Sequence, residues 1–449
     1  MLERIGLRFE YFVRQYMPDP FLLVLLLTLL TFAMAKLFTQ SSFDDLVQHW
    51  FYGTKNGDGF WDLLSFAMQM VLIVVTGEAV ASSPIVHNAI KSIAGWPKSD
   101  FSAVAFVSFA SILFGWLHWG FGLISAALLA REVAAQAKAR GIKIHYPLLG
   151  AAGYTSLLIW HGGLSASAPL IVNTPGHFLE KDIGLISLEK TIFHPMNFVA
   201  CGLLLFTVPF LLAAMTPKKD QREISPETLS EMKPVEVQID RSTIAGKIDA
   251  SPITSWIIGG LGVYFLVKYF RANGANLNHN IVNFSFLMAG MLLHRSPVAY
   301  MKAISQSVRG VGGIVLQFPF YGGIMGIMKG SGLGHLIAHQ FVYFASAGTL
   351  PFFTYLSSIF TKLFIPSGAG EWAVEGPIML AAAKDLGASY GKTIMAVAYG
   401  NMVGNMFQPF WALPLLGIMG LTAREIMGYC LVVFCFAFPL LGVILLLFA

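Results

Sequence analysis

The feature that most constrains this chain is a series of long apolar stretches, each bounded by charged or turn-forming residues. A helix needs about 17 to 25 predominantly apolar residues to cross a bilayer. We predict such crossings near residues 20–37, 62–83, 147–171, 194–215, 253–270, 279–294, 309–329, 392–419 and 427–448. The chain is therefore expected to be an all-α integral membrane protein.

The scarcity of charge supports this prediction. Hydrophobic residues make up 56% of the 449 residues and charged residues only 12%, whereas soluble proteins carry about 25% charged residues. The net charge of +5 does not come from a recognisable basic module, so we expect the lipid bilayer, and no nucleic acid, as a partner.

Two further apolar regions, 101–131 and 350–384, are too long for one simple crossing and have polar, glycine-rich centres. We predict a re-entrant hairpin in each, because non-helical backbone at membrane depth must be buried in protein or line a cavity. With the N-terminus in the cytoplasm and the C-terminus in the periplasm, 19 of the 29 Lys and Arg residues lie on the cytoplasmic side, as the positive-inside rule requires. The polar stretch 216–252 is then a flexible cytoplasmic linker between two halves, 1–215 and 253–449.

The two halves resemble each other. Displacing the chain against itself by 246 residues pairs the two hairpin regions, for example Phe106 with Phe352, Ser111 with Ser357, Gly122 with Gly368, Lys138 with Lys384 and Gly141 with Gly387. An odd number of predicted crossings separates the hairpins, so the repeats are inverted. Inverted repeats with broken helices are typical of secondary transporters, whereas a passive channel does not need this symmetry.

Each half also contains a span that should be broken near its middle. Residues 161–169 hold two glycines, two serines and a proline, and the span 392–419 holds several amides and prolines. Together with the hairpin centres at 116–122 and 365–372, these breaks should meet near the midplane. Half-helix N-termini there suit a carboxylate, while carbonyls at opposing helix ends suit a cation. The same glycines are also explained by close helix packing.

These breaks supply the candidate site residues. The candidates for substrate binding are Ser165, Ser167, Ser367, Gly368, Asn405, His161 and His118, and those for the coupling ion are Glu371, Gly163, Gly370 and Asn401. Ionisable residues inside a bilayer are costly and are often functional, so Glu371 and His161 are either proton carriers and substrate contacts or a structural pair. We interpret Glu78 and Lys362 as structural.

No enzyme signature, metal-ligand spacing or cofactor motif is found, so we expect neither an enzyme nor a cofactor, apart from Na⁺ as a candidate coupling ion.

Four blocks of the chain resemble a known family. They are MLERIGLRFEYFVRQYMPDPF at the start, WHGGLSASAPLIVNTPGH at 160–177, FIPSGAGEWAVEGPI at 364–378 and GNMVGNMFQPFWALPLLG at 400–417. They resemble the short-chain fatty acid transporter family, over essentially the whole chain. The resemblance implies uptake of short monocarboxylates, such as butyrate or acetoacetate, across a bacterial inner membrane.

That family is similar to the wider ion transporter superfamily. The similarity implies a homodimer, elevator-type movement, and binding of substrate and coupling ion at the tips 118–122 and 366–371 and the breaks 161–169 and 401–409. The superfamily's common Ser-Asn-Thr tip is not present in that form.

The sequence thus predicts a secondary transporter of short-chain monocarboxylates coupled to H⁺ or Na⁺. A dicarboxylate carrier or Na⁺/H⁺ exchanger on the same fold is the alternative, disfavoured by the lack of mid-span aspartate. An integral membrane enzyme is the alternative from another class.

Overall fold

A computed structural model of the protein describes residues 2–448 except 17–19, 55–58, 174–176, 178, 220, 232–241, 275–278, 295, 309–310 and 367. The described residues form helices and contain no strand. The helices up to residue 213 are α1 (Leu2–Tyr16), α2 (Pro20–Phe38), α3 (Phe43–Tyr52), α4 (Leu64–Ala81), α5 (Pro84–Ala94), α6 (Asp100–Leu117), α7 (Trp119–Ala139), α8 (Tyr146–Tyr154), α9 (Ser167–Val172), α10 (Glu180–Ile183) and α11 (Pro195–Ala213).

Two short helices, α12 (Pro226–Glu231) and α13 (Ile244–Asp249), belong to the predicted linker. The remaining helices are α14 (Ile253–Asn273), α15 (His279–His294), α16 (Pro297–Ser307), α17 (Gly312–Gly330), α18 (Leu333–Val342), α19 (Leu350–Thr361), α20 (Gly368–Leu386), α21 (Tyr390–Gly404), α22 (Leu413–Met419) and α23 (Ala423–Leu447). Short 3-10 turns occupy Thr155–Leu158, Trp160–Gly162, Leu188–Lys190 and Phe410–Ala412.

Long helices occur at the positions where the apolar stretches predict them. Among the described residues, six segments are long and apolar enough to cross a membrane, namely Phe21–Phe38, Asp100–Leu117, Tyr146–Val172, Pro195–Ala213, Ile244–Asn273 and Ala423–Leu447. Their burial differs widely: 78% of an 18-residue window of Tyr146–Val172 is buried inside the protein, against 17% of the corresponding window of Ile244–Asn273. The broken segment therefore lies at the centre of the molecule.

The first half contains a helix pair followed by a broken helix. Helices α6 and α7 pack against each other and are joined by the single residue His118, whose backbone is extended. After α8 the chain runs through two 3-10 turns before α9 resumes at Ser167. A Cβ at Gly163 would lie 2.2 Å from the backbone oxygen of Trp116, so only glycine lets the broken segment approach the tip of the helix pair so closely.

The same order of elements recurs in the second half. Helices α19 and α20 pack against each other, and α21 ends at Gly404 before a 3-10 turn leads into α22. Helix α19 has 12 residues, which at 1.5 Å per residue is about 18 Å, short of the roughly 30 Å hydrocarbon core. Helix α6 of the first pair, by contrast, is long enough to cross a membrane, so the re-entrant hairpins and the inverted relationship of the halves both stay predictions.

The predicted linker is more closely packed than a flexible segment would be. Gln221 donates a 2.6 Å hydrogen bond to the Asp100 carboxylate, the Tyr146 N–H donates to the Arg222 carbonyl at 2.7 Å, and Lys138 donates to the Ile224 carbonyl at 2.8 Å. The start of the linker thus supplies partners to polar groups at the ends of α6, α7 and α8. The linker residues 232–241 lie outside the described residues.

Candidate functional site

The two broken helices meet at a hydrogen bond between His161 and Asn401. His161 Nε2 and Asn401 Oδ1 are 2.8 Å apart, and both side chains are buried. The Ser167 N–H donates to His161 Nδ1 at 3.2 Å. Because Nδ1 accepts, a neutral ring carries its proton on Nε2 and donates it to Asn401. The structure therefore brings together three predicted site residues from two separate breaks.

Asn401 also joins two buried charges. Its Nδ2 donates to Glu371 Oε2 at 2.5 Å, and its Oδ1 accepts from Lys362 Nζ at 2.7 Å. Ser358 donates a short hydrogen bond to the other oxygen of Glu371. Lys362 and Glu371 are both fully buried, and a buried charge is tolerated only when it is paired and hydrogen-bonded. We call Lys362, Glu371, Asn401 and His161 the central network.

Lys362 belongs to this network, although its position in the sequence predicts only a structural role. Its ammonium lies at the second helix tip, where it donates to Asn401 and, at 2.5 Å, to the Pro366 carbonyl. The available signal was its position, an ionisable residue four residues from the glycine-rich tip. Ser358 could not be predicted as a member of the network, because a single serine hardly changes the composition of an apolar segment.

The tip of the second helix pair lies against the first broken helix. A Cβ at Gly368 would be 2.5 Å from His161 Cε1 and 3.0 Å from Ser167 Oγ. Gly368, His161 and Ser167 thus surround one point. Ser367 lies outside the described residues. Gly370 is the third residue of α20 and is half-buried.

The tip of the first helix pair has its backbone donors satisfied internally. Ser165 Oγ accepts the Trp119 N–H at 3.0 Å. His118 Nδ1 accepts the N–H groups of Gly120 at 3.1 Å and Phe121 at 3.4 Å. Ser165 and His118 therefore cap α7, and the hydrogen bonds described for them lie outside the central network.

Three tryptophans connect the two tips. Trp119 and Trp160 stack at 4.8 Å between ring centroids, and Trp411 contacts both edge-on at 5.2 and 5.1 Å. Trp160 also stacks on His161 at 4.3 Å, while Trp411 Nε1 donates to the Pro366 carbonyl at 2.9 Å. One carbonyl at the second tip is thus held by both Trp411 and Lys362.

Asn405 bonds to the first broken helix and not to the central network. Its Nδ2 donates to the Leu157 carbonyl at 3.2 Å, and its buried Oδ1 has no hydrogen-bond partner among the described residues. Asn405 thus links the second break to the first, and it keeps one acceptor available. Within the described part of the chain, no three His, Cys, Asp or Glu side chains converge as a metal site.

An all-helical, multi-pass membrane protein with a buried polar network between broken helices has the construction of a membrane transporter. Residues 1–448 match the family described as "Short chain fatty acid transporter". The chain belongs to this transporter family and is not an enzyme.

Two curated relatives extend this match. A protein of Escherichia coli (strain K12), provisionally named a short-chain fatty acid transporter, is 42% identical over 439 residues, covering 97% of this chain and 98% of the relative. A protein of Haemophilus influenzae (strain ATCC 51907 / DSM 11121 / KW20 / Rd) with the same provisional name is 40% identical over 449 residues, covering 98% of each.

Two solved structures are also similar. The Alcanivorax borkumensis YdaH transporter has 16% identity and a TM-score of 0.45, covering 96% of this chain and 98% of that one. Neisseria gonorrhoeae MtrF has 14% identity and a TM-score of 0.37, covering 98% of this chain and 96% of that one.

Proposed function

We propose that the protein is a secondary active transporter that takes up short-chain monocarboxylates, such as butyrate or acetoacetate, together with H⁺ or Na⁺. The observation that carries the proposal is the buried central network, where Lys362 and Glu371 of the second helix pair meet His161 and Asn401 of the two broken helices. Such charges are expensive inside a bilayer and mark a transport pathway.

The carboxylate of the substrate would bind at Lys362 beside the second tip. An ammonium group has three N–H donors, and the described contacts of Lys362 use two of them. The third donor suits one carboxylate oxygen, with Gly368, Ser167 and His161 close by. Ser165, Ser367, Asn405 and His118 remain the other candidates for substrate contact. One lysine with one remaining donor favours a monocarboxylate over the alternative of a dicarboxylate.

The balance of charges in the site would couple substrate binding to the binding of a cation. Without substrate, the positive charge of Lys362 and the negative charge of Glu371 cancel. A bound carboxylate adds one negative charge to a site that excludes water, so binding is favoured when a cation enters at the same time. Glu371 would take the proton, or Glu371 and Asn401 with backbone groups of Gly163 and Gly370 would take Na⁺.

The proposal also covers the repeats, the oligomeric state and the orientation in the membrane. Two inverted repeats move as an elevator within a homodimer in the bacterial inner membrane, with the N-terminus in the cytoplasm and the C-terminus in the periplasm. The recurrence of a helix pair followed by a broken helix supports the repeats.

The test is uptake of labelled acetoacetate into proteoliposomes, with a Na⁺ gradient and a pH gradient imposed separately. Protein-free vesicles correct for passive entry of the undissociated acid. Ser165→Ala and Ser367→Ala should each reduce uptake while the protein stays monodisperse in detergent. Unchanged uptake in both variants would contradict the site assignment, and inhibition by succinate but not by butyrate would favour the dicarboxylate alternative.

A further inference from the structure

A second glutamate lies one helical turn beyond the central network. Glu375 follows Glu371 by four residues on α20, so both side chains lie on the same helix face. Glu375 is fully buried. Its Oε1 accepts hydrogen bonds from Ser357 Oγ at 2.8 Å and Thr361 Oγ1 at 2.5 Å, both on α19.

The other oxygen of Glu375, Oε2, is buried and has no hydrogen-bond partner in the part of the chain that the structure describes. No Lys, Arg or His side chain of the described chain bonds to Glu375 either, because Lys362 is directed to Pro366 and Asn401. A buried carboxylate without a cation is so costly that it binds a proton instead. One lysine in this region can balance only one of the two carboxylates, and the carboxylate that it reaches through Asn401 is Glu371.

Hydroxyl groups follow the two carboxylates along the interface between α19 and α20. They recur on α19 with the spacing of one helix face and are all fully buried: Thr354, Ser357, Ser358 and Thr361. Ser358 bonds to Glu371, Ser357 and Thr361 bond to Glu375, and Thr354 bonds to Met379. This row, which we call the hydroxyl row, places a hydroxyl group on each of the two carboxyl groups within one helical turn of α20.

The other ionisable groups on the elements packed against α20 do not bond to Glu375. Those on α19 and α21 that are buried have hydrogen-bond partners of their own, and the two histidines of α18 are exposed. They are Tyr355 bonded to the Phe438 carbonyl, Tyr399 bonded to Asn197, Lys392 bonded to the Phe448 carbonyl, and His335 and His339. Glu371 is therefore the acidic partner that faces Glu375 from the transport site.

We propose that Glu375 is a proton-relay residue that supplies the coupling proton to Glu371 along the hydroxyl row. When the substrate carboxylate binds at Lys362, the O–H bond of Glu375 breaks and an O–H bond forms on Glu371. Glu375 then takes a proton from water on the side to which its end of the helix pair opens. The inference rests on the proposed transport function and adds that the coupling ion is H⁺.

The first experiment measures protons directly in the unmodified protein. Proteoliposomes with an entrapped pH indicator and no Na⁺ should show one proton entering with each acetoacetate. Uptake driven only by a Na⁺ gradient, with no accompanying proton, would overturn the relay and leave the transport function intact. Absence of any acetoacetate transport would instead contradict the transport function itself.

The second experiment separates coupling from binding by means of variants. Glu375→Gln should lose accumulation driven by a pH gradient down to the level of protein-free vesicles, yet keep acetoacetate exchange between two loaded compartments, because exchange needs no deprotonation step. Glu375→Asp, which keeps an acid group, should restore accumulation.

The matched control is Glu132→Gln. Glu132 is also buried, but it lies on α7 and accepts a hydrogen bond from Gln136 at 3.0 Å. This variant should keep both accumulation and exchange. If Glu375→Gln keeps pH-driven accumulation, or loses exchange together with accumulation in a monodisperse protein, the relay is wrong.

Discussion

Lys362 is the residue around which the candidate site is organised. A lysine at membrane depth must be paired or reach water, and here its partners are a carbonyl and the amide that leads to Glu371. The Asn401 amide bonds to the ammonium through its oxygen and to the carboxylate through its nitrogen. Each charge is therefore hydrogen-bonded, although no direct ion pair joins them among the described residues. Removing either charge leaves the other buried without compensation.

We predict that Lys362→Met abolishes acetoacetate uptake and lowers the free energy of unfolding by about 3 to 5 kcal/mol, since it leaves Glu371 buried and uncompensated. The double variant Lys362→Met/Glu371→Gln should recover most of that stability but no uptake. Thermal unfolding in detergent and proteoliposome uptake check the two parts. Full uptake by the single variant would remove Lys362 from the site.

Gly368 offers a steric test of the contact between the second tip and the first break. We predict that Gly368→Ala reduces uptake strongly and costs about 1 to 3 kcal/mol of stability, as overpacking does, because the added methyl would meet His161 and Ser167. Gly202→Ala on α11, where a Cβ meets nothing within 4 Å, is the matched control and should keep uptake. Equal behaviour of the two variants would contradict the contact.

At the scale of helices, the first tip depends on a histidine used as a helix cap. His118 accepts two N–H groups at the start of α7, a task for which asparagine is also well suited. We predict that His118→Ala lowers stability by about 1 kcal/mol, whereas His118→Asn keeps most of it. Unfolding in detergent measures this difference. If both variants unfold like the wild type while uptake is lost, His118 acts on substrate instead.

The positions of the helices could be predicted from the sequence, while their side-chain partnerships could not. Hydrophobic length gives the position of α11, and the glycines and proline of 161–169 give the break before α9, because both effects are local. The Asn401 contact with His161 joins residues 240 apart in the chain, and no local pattern encodes it. The hydroxyl row could not be predicted either, because serine and threonine hardly change the mean hydropathy of a helix.

The contacts made by the start of the linker could not be predicted from the sequence for a related reason. Its charge suggests solvation, yet Arg222 bonds to Glu10 of α1 and lies 3.5 Å from Glu425 of α23. The sequence shows how polar a segment is but not whether buried groups elsewhere need it as a partner.

At the scale of the whole molecule, His145 and Tyr429 complete this cluster, which joins α1, the linker, the start of α8 and α23. The Arg222 N–H donates to His145 Nδ1 at 3.1 Å, and Tyr429 bonds to both His145 and Glu10. His145 lies just before the membrane-spanning segment. Its burial, and then the positive charge of Arg222, lower its pKa from 6.5 to about 3. The folded protein therefore disfavours the protonated ring.

We predict that this cluster makes stability depend on pH. Because the pKa of His145 is depressed in the folded state, its contribution is complete above about pH 6.5 and decreases as the pH falls toward about 3. The melting temperature in detergent should fall on acidification more steeply in the wild type than in His145→Gln. His335→Gln, a change at an exposed histidine, should keep the wild-type slope; equal slopes in all three proteins would contradict the prediction.

In the proposed transport cycle the second tip must open. The two hydrogen bonds to the Pro366 carbonyl, from Lys362 and Trp411, then determine how often it does so. Hydrogen bonds from a neutral and a charged donor contribute together about 2 to 4 kcal/mol net, so a tip that must release Trp411 and Lys362 is open in roughly one molecule in a hundred. The apparent affinity for substrate is reduced by the same fraction. In the proposed H⁺-coupled mechanism, an empty carrier that is closed for most of the time gives protons few occasions to cross without substrate.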